Sequence, residues 1–272
     1  MIRRGIGVQS FVAAGGAGTD ADAQAFIDAA GITDATQQSA INTLVTDLKT
    51  YGVWTKMKAI YPFVGGTASA HKFNLKDPRD LDAAFRLVFS GGITHSSTGA
   101  LPNGTNAYAD TKLNPSSILT GTNSHISTYL RTNNDGVFCD IQSAEPFATK
   151  IIGIYAKLTN NIYADIGNST ISRIITPVAS SAGLSNITRT SSTVLRVFKN
   201  GSLLATNTNS DTAAMPNKNM SLFASPETGS GIGQYSNRQC AFASIGDGLT
   251  NTEAANLYTA VQAYQTTLSR NV

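Results

Sequence analysis

The feature that most constrains this chain is a series of short strand-like segments separated by turn signals, which fills its second half. The clearest case is the alternating run Val194–Lys199, followed by Asn200-Gly201 and then by a second run, Ser202–Thr206. Asn-Gly between two such runs is a strong hairpin signal, because both central residues of a type I′ turn need positive φ. The segment therefore predicts an antiparallel hairpin.

Two further hairpins are predicted on the same grounds: Ile126–Arg131 with Val137–Ile141 around Asp135-Gly136, and Lys150–Leu158 with Ile162–Ile166 around Asn160-Asn161. Other strand-like segments are Phe85–Phe89, Ser116–Leu119, Ile171–Ile175, Leu184–Thr190, Met220–Ala224 and Cys240–Ile245. Short strands with recurring turns, and no helical pattern between them, predict a mainly β protein whose antiparallel strands form a sandwich or a barrel.

Helical patterns occur near the front of the chain and at its end. Thr19-Asp20 is a predicted N-cap for a helix that ends at Gly31, and a second helix is predicted over Ala35–Thr50. Its apolar residues recur at helical spacing, at Ile41, Leu44, Val45 and Leu48. At the other end, Thr250 and Glu253 have the spacing of a capping box, which predicts a C-terminal helix.

These patterns divide the chain into three predicted parts. Residues 1–18 are a flexible or partner-docked arm rich in small residues, and the candidate docking residues are Ile2, Ile6, Val8 and Phe11. Residues 19–62 form a helical region. Residues 63–272 form the β-sandwich domain, which ends in a helix.

Charge and composition argue against several classes of function. The formal net charge is +3 and only 14% of residues are charged, so the basic stripe expected of a nucleic-acid-binding protein is missing. There is no run of eighteen apolar residues, and no membrane span is predicted. Cys139 and Cys240 are interpreted as buried thiols, although neighbouring strands would also allow a bridge.

No pattern in the sequence identifies a catalytic, cofactor or metal site. His71, His95 and His125 have no metal-ligand spacing with one another or with cysteine. A glycosidase needs two facing carboxyl groups, for which Asp140 and Asp165 are the candidates, but nothing else singles them out. We therefore expect a protein that is not an enzyme and has no cofactor.

The last part of the chain resembles known proteins. The segment from Phe242 to Ala254, after the Asn-Gly hairpin, resembles the final strands of laminin-G-like or concanavalin-like jelly rolls. From about Asp20 to its end, the chain is similar to structural proteins of tailed bacteriophages and prophages, in Asp20–Phe26, Gln37–Val45 and Tyr235–Gln239.

This resemblance implies a non-enzymatic component of a phage virion: a head-decoration, fibre or tail-associated subunit. Such a subunit is located in the virion and is anchored by its N-terminal region, with the jelly roll exposed outward. The partners implied are other virion proteins of the capsid or tail and further copies of the chain.

Two other functions stay open. The first is a lectin-like module that binds host-surface carbohydrate, in which tyrosines either stack on sugars or pack within the fold; these are Tyr108, Tyr129, Tyr155, Tyr163 and Tyr235. The second is a polysaccharide-degrading enzyme, for which the carboxylate pair is the missing element.

Overall fold

A computed structural model describes residues 18–228 and 231–272. The candidate docking residues Ile2, Ile6, Val8 and Phe11 lie outside the described residues, so their docking role stays a prediction. The helices are α1 (Ala21–Ala30), α2 (Ala35–Thr50), α3 (Ala68–His71), α4 (Pro115–Ile118), α5 (Ser169–Ser172) and α6 (Asn251–Thr267). No helix within the described residues has the length and apolar character that crossing a membrane requires.

The strands form two large antiparallel sheets that pack face to face. The first sheet has the order β13 (Ser202–Asn207), β12 (Val194–Lys199), β11 (Gly183–Ser191), β6 (Ser124–Leu130), β17 (Cys240–Gly246), β4 (Gly99–Pro102) and β3 (Ile93–Ser96), and β1 (Met57–Tyr61) also pairs with β17. The second sheet has the order β10 (Ile174–Pro177), β9 (Asn161–Gly167), β8 (Ile151–Leu158), β7 (Ile141–Ala144), β14 (Ser221–Leu222), β5 (Tyr108–Asp110) and β2 (Val88–Ser90). A small hairpin consists of β15 (Ser225–Thr228) and β16 (Gly231–Gly233).

The predicted antiparallel sandwich is confirmed, and it has two apolar layers. The inner layer lies between the sheets and contains residues such as Ile126, Ile154 and Ile187. The outer layer lies between the first sheet and the helices, where Phe242 meets Leu257 of α6 within one buried cluster. The first sheet is therefore covered on both faces, by the second sheet on one side and by helices on the other.

Several turns and helix ends lie where short sequence patterns predict them. Asn200 and Gly201 have φ of 48° and 75° and join β12 to β13, as predicted. Helix α2 has the predicted bounds, and Asp34 caps it by accepting a hydrogen bond from the backbone N–H of Gln37. Helix α6 begins with the predicted capping box of Thr250 and Glu253.

The β8–β9 hairpin is also confirmed, with its turn one residue earlier than predicted. Thr159 and Asn160 are the residues with positive φ, at 49° and 59°. The carboxylate of Asp135 accepts hydrogen bonds from both of their backbone N–H groups. A carboxylate from a different loop thus holds this turn in place.

The hairpin predicted around Asp135-Gly136 is wrong. Strand β6 belongs to the first sheet and β7 to the second, so residues 131–140 cross from one sheet to the other. Strand β6 already pairs with β11 and β17, and β7 pairs with β8 and β14, so neither has a free edge for a hairpin between them. The fully buried Arg238 holds the crossing segment, since its guanidinium donates to the backbone oxygens of Asn134 and Phe138 there and of Lys157 in β8.

Three predicted strands are also corrected. Ser116–Leu119 is mostly the short helix α4, because Asn114 caps it and Pro115 occupies its first turn. Ile171–Ile175 is divided between α5 and β10. Phe85–Phe89 begins with Phe85 in the left-handed region, at φ 59°, so that strand starts only at Val88.

Candidate functional site

The outer face of the second sheet carries polar and aromatic side chains where β7, β8 and β9 lie side by side. Ile154 and Ile162 point into the inner core, so by strand alternation their neighbours Tyr155 and Tyr163 point outward. We call this surface the tyrosine face; it consists of Gln142, Tyr155, Tyr163, Asp165 and Arg173, the last of which directly precedes β10. Strand register places Tyr155 opposite Tyr163 and Gly153 opposite both Asp165 and Gln142.

An ion pair fixes the most exposed cation of this face. The Arg173 Nε atom lies 2.8 Å from Asp165 Oδ1, and its Nη2 atom donates to Asp165 Oδ2 at 2.9 Å. The Asp165 side chain is fully buried, while that of Arg173 is 30% exposed. Burial raises the pKa of the Asp165 carboxyl, and its hydrogen bonds to Arg173 act in the opposite direction. The carboxylate therefore orients a guanidinium that remains partly exposed.

Tyr163 lies next to this guanidinium. The Arg173 Cζ atom is 5.8 Å from the centre of the half-buried Tyr163 ring. On the adjacent strand, Ile175 pairs with Tyr163 and is 53% exposed. An aromatic ring, an apolar side chain and an oriented cation thus form one continuous surface at this edge of the sheet.

Tyr155 extends the surface toward β7. Its ring meets that of Tyr163 edge to face, with centroids 6.4 Å apart. Its hydroxyl donates to Gln234 Oε1 at 2.5 Å and accepts from Gln142 Nε2 at 3.4 Å. Burial raises the pKa of Tyr155, so the phenol stays protonated and remains a donor. The Oε1 atom of Gln142 is buried and has no hydrogen-bond partner among the described residues.

Gly153 leaves room for this glutamine. A Cβ atom on Gly153 would lie 2.9 Å from Gln142 Cγ and 3.0 Å from Gln142 Nε2. The glutamine side chain thus lies flat across the position where β8 has no side chain. This arrangement keeps the polar atoms of Gln142 close to Asp165, which is opposite the same glycine.

The other tyrosines considered for sugar stacking lie elsewhere. Tyr129 is fully buried beneath α6, and its hydroxyl accepts from the backbone N–H of Val272. Tyr108 is half-buried on β5, near the opposite edge of the sheet, and the Tyr235 hydroxyl donates to the carbonyl of Ile232. Only Tyr155 and Tyr163 of the five share a surface with an oriented cation.

The candidate carboxylate pair for glycosidase chemistry has other partners. Asp140 is fully buried and lies 2.7 Å from Arg238 Nη1, while Asp165 is held by Arg173. Each carboxylate is thus engaged by an arginine and shielded from solvent. Neither has the environment of a general acid or a nucleophile at a water-filled cleft.

His125 is also structural. Its Nδ1 atom is 2.6 Å from the carbonyl oxygen of Asp247 and its Nε2 atom is 3.2 Å from Ser244 Oγ, but all three groups lie beneath the helices. Burial lowers the pKa of His125 to about 4. The neighbouring Ser124 Oγ has no hydrogen-bond partner among the described residues, so Ser124 and His125 form no nucleophile–base pair.

Metal and thiol chemistry have little support in the described parts of the chain. No group of three or more histidine, cysteine, aspartate or glutamate side chains there is arranged to hold a metal ion. Cys139 and Cys240 are free, buried thiols, as the sequence indicates. Burial raises the pKa of Cys240 to about 12, and that of Cys139 is raised by the same cause, so neither is a thiolate at neutral pH.

Arg173 and Gln142 have no signal in the sequence that marks them as site residues. Their positions follow from strand register, which joins Arg173 to Asp165 and brings Gln142 across Gly153. Tyr155 and Tyr163 are identifiable in advance, because they occupy matching positions on the two sides of one predicted hairpin.

Comparison with known proteins supports the fold. No family model and no curated protein sequence matches the chain. The receptor binding domain of the botulinum neurotoxin C/D mosaic serotype matches 76% of this chain with a TM-score of 0.50 and 11% identity. A tryptophan-to-alanine mutant of HCR/D matches the same share with a TM-score of 0.51 and 12% identity.

A third match covers a complete smaller domain. Domain 4 of AbnA, an extracellular GH43 arabinanase from Geobacillus stearothermophilus, solved in complex with arabinotriose, is 13% identical, with a TM-score of 0.47 over 74% of this chain and 98% of its own. The chain spans only about half the length of the first two matched chains, 52% and 51%. At these identities, the likeness to the two structures with TM-scores of 0.51 and 0.50 shows the sandwich fold alone.

Proposed function

We propose that this chain is a non-enzymatic module that binds carbohydrate through the tyrosine face. The observation that carries the proposal is the half-buried Tyr163 ring beside Arg173, whose guanidinium is oriented by the buried carboxylate of Asp165. Binding sites combine an apolar contact surface with a few positioned polar groups, and this face has both. Solved sandwiches similar to this chain are named as receptor-binding or sugar-bound domains, which is consistent with the proposal.

The chemistry of a sugar ring fits these side chains. One side of a pyranose or furanose ring presents C–H groups, which pack on an aromatic ring such as that of Tyr163. The hydroxyl groups around its edge both donate and accept hydrogen bonds. Arg173, whose side chain is 30% exposed, supplies donors to these hydroxyl groups.

The charge of the face favours a neutral sugar over an acidic one. Asp165 compensates the charge of Arg173 directly, because the two side chains form a bidentate contact. A free carboxylate on the sugar would therefore gain little beyond what a hydroxyl gains.

A glycan array followed by calorimetry tests the proposal. The wild-type chain should bind a defined neutral oligosaccharide, and Tyr163→Ala should weaken that binding by about ten-fold or more, because it removes the contact surface. Arg173→Lys should also weaken it, since lysine lacks the planar guanidinium. Tyr258→Ala is the matched control, because this half-buried tyrosine lies on α6, on the opposite side of the first sheet. Absence of any glycan binding, or equal affinity in the Tyr163→Ala variant, would contradict the proposal.

We further propose that the module serves as a subunit of a phage virion. This proposal rests only on the resemblance noted in the segments Asp20–Phe26, Gln37–Val45 and Tyr235–Gln239, because no family model and no curated protein sequence matches the chain. In such a particle, the residues before α1 would attach the subunit and the tyrosine face would point outward. Mass spectrometry of purified particles should detect the chain, and particles that lack it would contradict the virion role while leaving carbohydrate binding open.

A further inference from the structure

The row of outward-facing side chains that contains Tyr163 ends in an exposed isoleucine. Ile174 belongs to the inner core, so by strand alternation Ile175 points to the same outer face as Tyr163. Ile175 pairs directly with Tyr163 across β9 and β10, and it is 53% exposed. On β8, Tyr155 pairs with Tyr163 from the other side. Ile175, Tyr163 and Tyr155 thus form one row of largely apolar surface that runs across three strands.

The neighbours of Ile175 make it a candidate for ligand contact. A single exposed isoleucine is ordinary on a protein surface. Ile175, however, lies directly opposite the half-buried Tyr163, and such cross-strand pairs have Cβ atoms roughly 5 Å apart. Arg173 precedes it by two residues, which is a distance of roughly 7 Å along a strand. One sugar residue is therefore large enough to contact the tyrosine, the isoleucine and the guanidinium together.

The side chains that follow Ile175 along β10 offer little to a hydroxyl group. Pro177 is the next residue on this face, and its exposed ring has no polar atom that could pair with a hydroxyl. Asn161 is opposite Pro177, and its amide nitrogen donates to the carbonyl of Thr159 at 2.8 Å. A hydroxyl group placed on Ile175 would therefore lose hydration against an aliphatic surface, whereas a methyl group would bury apolar surface without that cost.

We propose that the tyrosine face prefers neutral sugars that carry a methyl group, with this methyl group packed against Ile175. The inference rests on the proposed carbohydrate-binding function and adds the class of sugar. The C–H side of the sugar ring would lie on Tyr163, and hydroxyl groups at the far side of the ring would accept from Arg173. Two kinds of neutral sugar have such a group: 6-deoxyhexoses, in which a methyl replaces the hydroxymethyl at C5, and acetamido sugars, in which a methyl ends the acetyl group.

Matched pairs of monosaccharides test the preference, because the members of each pair differ at one group. The pairs are 6-deoxy-D-galactose with D-galactose, L-rhamnose with L-mannose, and N-acetyl-D-glucosamine with D-glucose. In titrations followed by nuclear magnetic resonance, the methyl-bearing sugar of at least one pair should bind about four-fold more tightly, the gain expected from burying one methyl group. A preference in either of the first two pairs assigns the methyl group to C6, and a preference in the third pair alone assigns it to an acetyl group.

Ile175→Thr tests whether this isoleucine is responsible. Threonine is also β-branched and suits a strand, so the variant should fold, while a hydroxyl replaces the ethyl group of isoleucine. The preference for the methyl-bearing sugar should fall below about two-fold. Val88→Thr is the matched control, because Val88 is β-branched, is 38% exposed and lies on β2, at the opposite edge of the same sheet. This control should keep the full preference.

Intermolecular nuclear Overhauser effects measure the contact itself. The methyl protons of the bound sugar should give cross-peaks to the Ile175 side chain, and its ring protons should give cross-peaks to the Tyr163 ring. Equal affinity within all three pairs, failure of all these monosaccharides to bind, or an unchanged preference in Ile175→Thr would overturn the inference, although an oligosaccharide could still bind to the face. Absence of binding to every glycan on the array would instead remove the proposed function, and this inference with it.

Discussion

The outer face of the first sheet and the tyrosine face of the second sheet differ in what lies on them. Beneath α2 and α6, the first sheet presents Tyr129, Phe198 and Phe242, none more than 2% exposed. On the tyrosine face, Tyr163 and Arg173 remain partly exposed. One outer face therefore stabilises the domain by apolar burial, and the other keeps an aromatic ring and a cation available for a ligand.

The polar side chains of the two faces also differ in their hydrogen-bond partners. Under the helices, His125 and Ser127 both contact Ser244 Oγ, at 3.2 Å and 2.7 Å, so polar atoms are paired with one another inside the fold. On the tyrosine face, the buried carboxylate of Asp165 instead pairs with the partly exposed Arg173. The polar side chains under the helices thus pair with one another inside the fold, whereas those of the tyrosine face include a cation that reaches the surface.

The largest difference in stability between the two faces should appear when one aromatic side chain is replaced on each. Phe242→Ala should lower the free energy of unfolding by about 3–5 kcal/mol, because it leaves a cavity beneath α6. Tyr163→Ala should lower it by less than about 1 kcal/mol, because that ring is half-exposed. Urea denaturation measures both, and similar losses for the two variants would remove the distinction between the faces.

Acid should weaken the helix-covered side through His125. Its folded pKa of about 4 lies below the ordinary value of 6.5, so the unfolded chain takes up the proton first as the pH falls. Stability should therefore be lost between pH 6.5 and about 4, by about 3 kcal/mol, and His71 should add to the loss in the same direction. Asp247, Lys56 and Glu253 are the charged groups near His125.

Urea denaturation at a series of pH values checks this expectation. His125→Gln keeps hydrogen-bonding capacity without a titrating ring, so its stability should change less between pH 6.5 and 4 than that of the wild type. An identical pH dependence in the two proteins would show that His125 is not the group responsible.

A smaller effect is expected where α6 begins on the covered side. Thr250→Ala removes the hydroxyl that accepts from the Glu253 backbone N–H, and the loss should be about 1 kcal/mol. Thr259→Ala, at an exposed position in the same helix, is the control and should change stability by only a few tenths of a kcal/mol. Equal stability of the Thr250→Ala variant and the wild type would mean that sheet contacts alone hold the helix end.

An effect of similar size should come from Gly153→Ala on the tyrosine face. The added Cβ would lie 2.9 Å from Gln142 Cγ and displace that side chain, although the backbone of Gly153 is not in the left-handed region. Stability should fall by about 1 kcal/mol. Glycan affinity should also fall, because a displaced Gln142 loses its hydrogen bond to Tyr155, which packs against Tyr163; unchanged affinity would show that this packing does not position Tyr163.

The sequence predicts those parts of the fold that depend on neighbouring residues. Asn200-Gly201 requires positive φ at adjacent positions, and Thr250 with Glu253 closes a local capping box, so both elements are predicted correctly. The path of residues 131–140 depends on strand pairing in two sheets and on contacts with Arg238, about a hundred residues later in the chain, so the local Asp-Gly signal predicts a hairpin that does not form.

The candidate site shows the same limit. Tyr155 and Tyr163 are related by a hairpin and can be paired from the sequence, whereas the contact between Asp165 and Arg173 needs the β9–β10 register. The hydrogen bond between the His71 and His95 rings likewise needs the packing of α3 against the edge of the first sheet. Neither contact can be predicted from the spacing of residues in the sequence.

The most direct test of the account is to map the contact surface of a bound glycan by amide and arginine side-chain chemical shifts. With an oligosaccharide selected on the array, the account predicts that the largest shifts occur in β8, in β9 and at the Nε–H of Arg173. Shifts confined to α2 and α6, or to the turn between β12 and β13, would contradict it.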